Sequence, residues 1–329
     1  MEPKNVLAVV APHVGGRRVG ATLARLFEGR AVVTVVESAD EDPAALAAAH
    51  VIMTALGPVA AGHLACASAL ELVQCTGHGH GHEHVDVAAA RARGVPVCTI
   101  GSSGAETQSV AEQAFALMLA LAKRTVPAHE ALSRGEWPLP RLQRSLTELD
   151  GRVLGVIGLG AIGQAVARRA AAFGMTVRYT SRRPVPAATE QLLGARRLPL
   201  DELLATADYV SVHVPLTDAT RHLLDARRLA LLKPTAFLVN TARGAVVDQD
   251  ALADALEAGR LAGAGLDVFD PEPPPAGMRL LHAPNVVLSP HAGGATGDTV
   301  ARIALAAVRN VVDFLDGRPP RDVVPATED

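Results

Sequence analysis

The chain has 329 residues, 49% of them hydrophobic, which is too long for one ordinary core and within the range of two domains. A formal net charge of -3 gives no broad basic field, so nucleic acid and anionic membrane are set aside as main partners and small molecules become the default. Three cysteines without CxxC spacing, Cys66, Cys75 and Cys98, suit a reducing compartment, and the longest apolar run, 114–122, is about half of a bilayer span.

The segment Asn5-Val6-Leu7-Ala8-Val9-Val10 reads as a first strand rather than a leader, so a cytoplasmic location is expected. Short β-branched runs then alternate with Ala/Leu/Arg segments of helical period, the pattern of repeated βαβ units on a parallel sheet, and the fold class is α/β. Aromatics are only 3%, so the core is built from Val, Leu, Ile and Ala. Strands are expected near Val6–Val10, Val32–Val36, Val51–Thr54, Leu72–Gln74 and Val95–Thr99, giving a small flavodoxin-like domain over 1–103. The polar stretch 101–110 leads into an apolar helix, Ala111–Arg124, and fits a crossing into a second domain over 104–291. After Trp137, Pro138 and Pro140 a second βαβ series begins at Arg152 and runs to about Pro290. A last helical segment, Thr299–Leu315, lies beyond that series and is expected to return to the first domain with residues 292–329. No low-complexity tract or solenoid repeat is present.

The run Val153-Leu154-Gly155-Val156-Ile157 is a buried strand, followed by Gly158-Leu159-Gly160-Ala161-Ile162-Gly163 and a helix, Gln164–Phe173. GxGxxG between strand and helix is a dinucleotide-binding signature: the first glycine makes the turn, the second admits the pyrophosphate to the backbone, and the third lets helix and strand pack closely. The helix N-terminus then offers free amides and the positive end of its dipole to the phosphates. A second strand is expected at Thr176–Tyr179. Where an NAD site places Asp or Glu after that strand, this chain has Thr180-Ser181-Arg182-Arg183. A hydroxyl and two guanidinium forks suit a 2′-phosphate, so NADP(H) is favoured, with NAD(H) as the alternative. The plain reading of either arginine is a solvated surface residue.

Three separated segments each end a strand-like run: Val239-Asn240-Thr241-Ala242-Arg243-Gly244, Leu266-Asp267-Val268-Phe269-Asp270-Pro271-Glu272-Pro273, and Leu288-Ser289-Pro290-His291-Ala292-Gly293-Gly294. Ligands of an open α/β sheet bind outside the carboxyl ends of its strands, so these ends are expected to converge. Reduction of a 2-oxo acid needs a cation for the carboxylate, a hydride donor, and an acid to protonate the developing alkoxide. Arg243 supplies a bidentate fork, and His291 beside the Glu272 carboxylate would keep its proton near neutral pH. Singly, each has an ordinary explanation: a turn cap, a satisfied histidine, a solvent-facing glutamate.

Together with Gly77-His78-Gly79, His84-Val85-Asp86, Ser109-Val110-Ala111-Glu112 and His213-Val214-Pro215-Leu216-Thr217, these segments resemble the D-isomer-specific 2-hydroxyacid dehydrogenase family over nearly the whole chain. The resemblance implies a Rossmann cofactor domain inserted into a discontinuous flavodoxin-like substrate domain, with a catalytic trio of Arg243, Glu272 and His291. It places Thr241, Ala242 and Asp267 near the nicotinamide, and His213, Val214, Pro215, Thr220 and Gly293 among the cofactor residues. Backbone amides at His78 and Gly79 would meet the substrate carboxylate beside Arg243. A homodimer is implied, with the long helix after the first crossing at the interface. The Ser181-Arg182-Arg183 segment is similar to NADPH-using glyoxylate/hydroxypyruvate reductases.

Some features depart from that pattern. The loop from Gly77 to Asp86 carries His78, His80, His82 and His84 and about two extra residues. A metal site is one reading of the histidines, but alternation across glycines fixes no ligand face and no metal is expected. A second reading is a pocket for a doubly anionic 2-oxo acid such as a phosphonate, and the plainest is a polar loop. Ser102, Ser103 or Thr107 stands where the family often has Asn, and Gln113 stands where many members have His. Two other readings of the fold are a formate-type dehydrogenase, which the acidic Glu272 argues against, and a binding protein that senses the cofactor.

Overall fold

The β-branched runs form parallel strands in two sheets. The computed structural model describes residues 3–12, 15–27, 29–77 and 82–325. Contacts divide the chain into one unit of 1–106 with 297–329 and another of 107–296, where the sequence suggests divisions at 103/104 and 291/292.

The first unit holds β1 (Lys4–Val10), β2 (Ala31–Val36), β3 (Val51–Ala55), β4 (Leu72–Cys75) and β5 (Val97–Cys98), in the order β2-β1-β3-β4-β5. This is the flavodoxin-like doubly wound order, with its switch point between β1 and β3. Side chains alternate between the faces: Leu7, Val9, Ile52 and Val73 enter one cluster, and Val6, Ala8, Met53 and Leu72 enter the other. Both faces of the inner strands are buried, so those strands are mostly apolar rather than alternating with polar residues, with Thr54 and Gln74 buried among them. β5 is shorter than the expected 95–99, because Pro96 has no N–H to add to the ladder. The helix Gly297–Leu315 lies on this unit's sheet, packing Ala307, Val308 and Val311 against the β1 face. It is fastened by Asn310, whose Nδ2 donates to Gln74 Oε1 at 2.6 Å. Asp86 caps the helix Val87–Ala92 through Ala89 N, which gives the His84-Val85-Asp86 segment a structural task.

The second unit holds β6 (Val153–Ile157), β7 (Thr176–Thr180), β8 (Ala195–Arg197), β9 (Tyr209–Val212), β10 (Phe237–Asn240), β11 (Gly263–Leu266) and β12 (Val286–Leu288). Their order is β12-β11-β10-β9-β6-β7-β8, so the chain switches direction between β6 and β9, as in dinucleotide-binding sheets. The helix Ala161–Ala172 begins three residues before the expected Gln164, directly on the glycine turn. The long helix is Thr107–Ala122 rather than 111–124, and its apolar side chains are buried within this unit. Among the described residues no helix is long and apolar enough to cross a membrane, and no group of three His, Cys, Asp or Glu residues is placed to hold a metal.

Candidate active site

The second unit brings its functional segments to the carboxyl edge of one sheet. After β6, Gly158 adopts φ +95°, and a Cβ there would sit 2.7 Å from the carbonyl oxygen of His213. A side chain at Gly163 would run into the carbonyl of Gly158, so the helix can close on the strand end only through glycine. At Gly160 a Cβ would meet no heavy atom within 4 Å, leaving the backbone open to a ligand. Gly160 is also the N-cap of the helix and supplies no side-chain cap, so the amides of Ala161 and Ile162 keep their outward donors. Leu159 turns inward and is buried. This cradle fits a pyrophosphate.

The other residues expected at the cofactor lie along the same edge. His213 N donates to Ile157 O at 2.7 Å, and its Nε2 pairs with Ser211 Oγ at 2.8 Å. Burial pushes the His213 imidazole down to about 3, so it is neutral at physiological pH. Val214 packs against an apolar cluster that includes Leu224, Val246 and Leu266, and Pro215 O accepts from Thr220 Oγ1 at 2.6 Å, so the Thr220 hydroxyl closes the turn after β9. Thr241 Oγ1 is buried and has no partner among the described residues, an orphaned hydroxyl of the sort a bound nicotinamide would satisfy. Ser181 Oγ donates to Arg183 O at 2.6 Å, and Arg182 and Arg183 are exposed.

β10, β11 and β12 are neighbours, so their three following loops meet. Asn240, 1% exposed, staples the first loop: its Nδ2 donates to Arg243 O at 2.9 Å and its Oδ1 accepts from Ala242 N at 3.0 Å. Arg243 is half-buried and donates from Nη1 to Ala242 O at 2.8 Å. A Cβ on Gly244 would collide with the backbone carbonyl of Phe269, so glycine sets the Arg243 turn directly on the loop that carries Glu272. Glu272 Oε1 accepts from Phe269 N at 2.8 Å, and Oε2 accepts from His291 Nδ1 at 2.6 Å. This pairing leaves His291 Nε2 as the second donor of the ring.

The hydrogen bond that His291 donates to Glu272 holds the His291 pKa above its ordinary value against the opposing effects of burial and the Arg243 charge. For Glu272 burial pushes upward, but the His291 bond and charge, the Phe269 amide and Arg243 together hold it below the usual carboxylate range. Both shifts favour the pair as a carboxylate and an imidazolium.

His291 has φ +53°, a conformation unusual for a side chain of this size. Asp267 holds the loop there. It is 1% exposed, accepts from Ala292 N at 2.9 Å, Gly293 N at 2.8 Å and the Ser289 hydroxyl, and its own carbonyl accepts from His291 N at 2.7 Å. Gln113 Nε2 donates to Ser289 Oγ at 2.7 Å, and the Ser109 hydroxyl donates to Gly293 O, so the long helix braces the same loop. Ser289 and Asn240 carry no role in the sequence reading, although each lies inside a segment it singles out. The residues His78 and Gly79, expected to touch the substrate carboxylate, lie outside the described residues, as does His80.

The match to known proteins follows this architecture. Residues 115–293 match the family model of the D-isomer specific 2-hydroxyacid dehydrogenase, NAD binding domain. The chain belongs to the D-isomer-specific 2-hydroxyacid dehydrogenase family. It is 44% identical over 225 residues, 67% of each chain, to a glyoxylate reductase of Korarchaeum cryptofilum. A glyoxylate/hydroxypyruvate reductase B of Pectobacterium carotovorum is 44% identical over 220 residues, 66% of this chain and 68% of that one. Among solved structures, the TT0316 protein from Thermus thermophilus aligns with a TM-score of 0.84 and 40% identity, covering 98% of this chain and 100% of that one. This 2-hydroxyacid dehydrogenase uses a nicotinamide cofactor to interconvert 2-oxo and 2-hydroxy acids, acting on CH–OH donors.

Proposed function

We propose that this dehydrogenase is an NADPH-preferring reductase of small 2-oxo acids of the glyoxylate and hydroxypyruvate type. In this reading Arg243 binds the substrate carboxylate, His291 is the proton donor and Glu272 is its charged partner. The observation that carries the reading is the 2.6 Å His291–Glu272 pair on loops following β11 and β12, next to the Arg243 turn after β10. The relatives named as glyoxylate and glyoxylate/hydroxypyruvate reductases support the substrate class.

The cofactor, when bound, supplies the hydride. The cradle from Gly158 to Gly163 would hold its pyrophosphate, and Arg182 and Arg183 would take the 2′-phosphate through charge-assisted bonds, while Ser181, whose hydroxyl donates to Arg183 O, shapes the loop that presents them. Arg243 fixes the carboxylate with its planar fork and aligns the carbonyl carbon. His291 donates the Nε2 proton to the carbonyl oxygen as negative charge grows there, and Glu272 stabilises and orients the imidazolium until that transfer. The Asp267 network keeps the ring in place.

The protein works as a homodimer in the cytoplasm. Val126, Leu132, Trp137, Leu139 and Leu146 are exposed along one segment, with Trp137 at 74%, and a second copy would cover them. This segment, rather than the buried helix Thr107–Ala122, offers the apolar surface. Burial pushes the Cys75 and Cys98 thiols up to about 12, which suits thiols kept reduced.

NADPH and NADH oxidation by the purified protein, measured across glyoxylate, hydroxypyruvate, larger 2-oxo acids and phosphonopyruvate, tests the reading. Turnover of the two small acids with NADPH supports it. Preference for NADH, or for the larger or doubly anionic acids, refutes the corresponding part.

A further inference from the structure

β6, β7 and β8 are consecutive neighbours, and their carboxyl ends form one corner of the sheet. β6 ends in the glycine turn and β7 ends in Ser181-Arg182-Arg183. β8 ends in Arg197, which lies opposite Tyr179 in the strand register. From there Arg197 Nη2 donates to Ser181 O at 2.7 Å and to Arg182 O at 3.1 Å. With the Ser181 hydroxyl on Arg183 O, three successive carbonyls of this short loop are engaged.

A carbonyl held in place fixes its peptide plane, and that plane sets the direction in which the next side chain leaves the backbone. Arg197 thus determines how Arg182 and Arg183 are presented. It also brings a third guanidinium to a loop in which the sequence has no carboxylate from Thr180 to Ala188. Glu190, the first acidic side chain beyond that stretch, is engaged by the Tyr179 hydroxyl. Arg197 is exposed, so it brings this charge to the surface where a ligand would lie.

We propose that Arg197 is a specificity-determining residue for a 2′-phosphorylated adenine ribose. It holds the Ser181–Arg183 loop in its binding conformation and adds a third cation to the phosphate. The proposal rests on the preference for NADPH stated above. A ribose without the 2′-phosphate gains little from a third guanidinium, so Arg197 acts on the difference between the two cofactors rather than on the affinity they share.

The test uses 2′,5′-ADP and 5′-AMP, which differ only in the 2′-phosphate. Calorimetric titration of the wild-type protein, Arg197→Ala and Arg197→Lys is combined with kcat/KM for NADPH and NADH. The wild type is expected to bind 2′,5′-ADP at least roughly tenfold more tightly than 5′-AMP. Arg197→Ala is expected to lose roughly ten- to a hundredfold in affinity for 2′,5′-ADP and little for 5′-AMP, with the same change in the NADPH/NADH ratio. Arg197→Lys, which keeps the charge but not the planar fork, is expected to lie between them and carries the comparison if the alanine variant does not fold. Equal weakening of both nucleotides would mean that Arg197 only braces the fold, and would overturn the proposal, as would no change in either. Equal binding of both nucleotides by the wild type would instead overturn the NADPH preference itself.

Discussion

Replacing Glu272 with Gln isolates the electrostatic half of the proposed proton donor. The carbonyl of the introduced amide can still accept from Phe269 N, and the amide N–H then faces His291 Nδ1, where an acceptor stood before. That geometry disfavours the protonated ring. A hydrogen bond to a charged group contributes about 1.5–3 kcal/mol when well shielded, and exposed ion pairs contribute about 0–1 kcal/mol. The two side chains are 36% and 30% exposed, so about 1 kcal/mol is the screened value, roughly a fivefold loss of protonated ring on the alkaline side. The wild-type His291 pKa is raised, so reduction proceeds fully at low pH and is lost as pH rises through the folded value. In Glu272→Gln the fall comes at lower pH. The deficit relative to wild type is therefore larger at pH 8 than at pH 6. Steady-state NADPH oxidation with glyoxylate from pH 5 to 9 reads this directly as a displaced limb in kcat/KM. Two parallel profiles, differing only in height, would refute the electrostatic role of Glu272.

The same pair makes a stability prediction. The His291 contribution is complete below about pH 6.5 and lost above it, and the Glu272 contribution is complete above about pH 4.5 and lost below it, so the Tm difference between wild type and Glu272→Gln should peak between those values. A difference independent of pH would count against the ion pair. Arg243→Ala should abolish reduction while NADPH fluorescence titration remains nearly unchanged; loss of both would assign Arg243 to the fold. His291→Ala should slow reduction by about a hundred- to ten-thousandfold, the usual contribution of a general acid, and an unaltered rate would remove it from the mechanism. Gln113→Leu leaves Ser289 without its donor, and should lower kcat more than it weakens NADPH binding, measured by single-turnover hydride transfer. Equal losses in both would mean that the helix contact is only structural.

What the sequence alone determined is local. Most strands of both sheets, though not β8 (Ala-Arg-Arg) or β11 (Gly-Ala-Gly-Leu), follow from β-branched runs, the glycine turn from its place between a strand and a helix, and the candidate trio from polar residues just after three strand-like segments. Each of these signals lies among residues a few positions apart, whose periodicity and turn chemistry are set by the backbone itself. The exact lengths of β5 and of the long helix were less legible, because proline and the capping geometry of neighbouring loops decide where a ladder or helix stops. Tertiary structure alone decided which segments meet. Gln113, Asp267 and Ser289 are far apart in the chain, and their hydrogen-bonded series forms because the long helix packs on the sheet beside β11 and β12. The close approach of Gly244 to Phe269 and the reach of Arg197 across to the β7 loop likewise depend on strand order. Strand order is set by the burial of both sheet faces over the whole unit, and no short window of sequence contains that information.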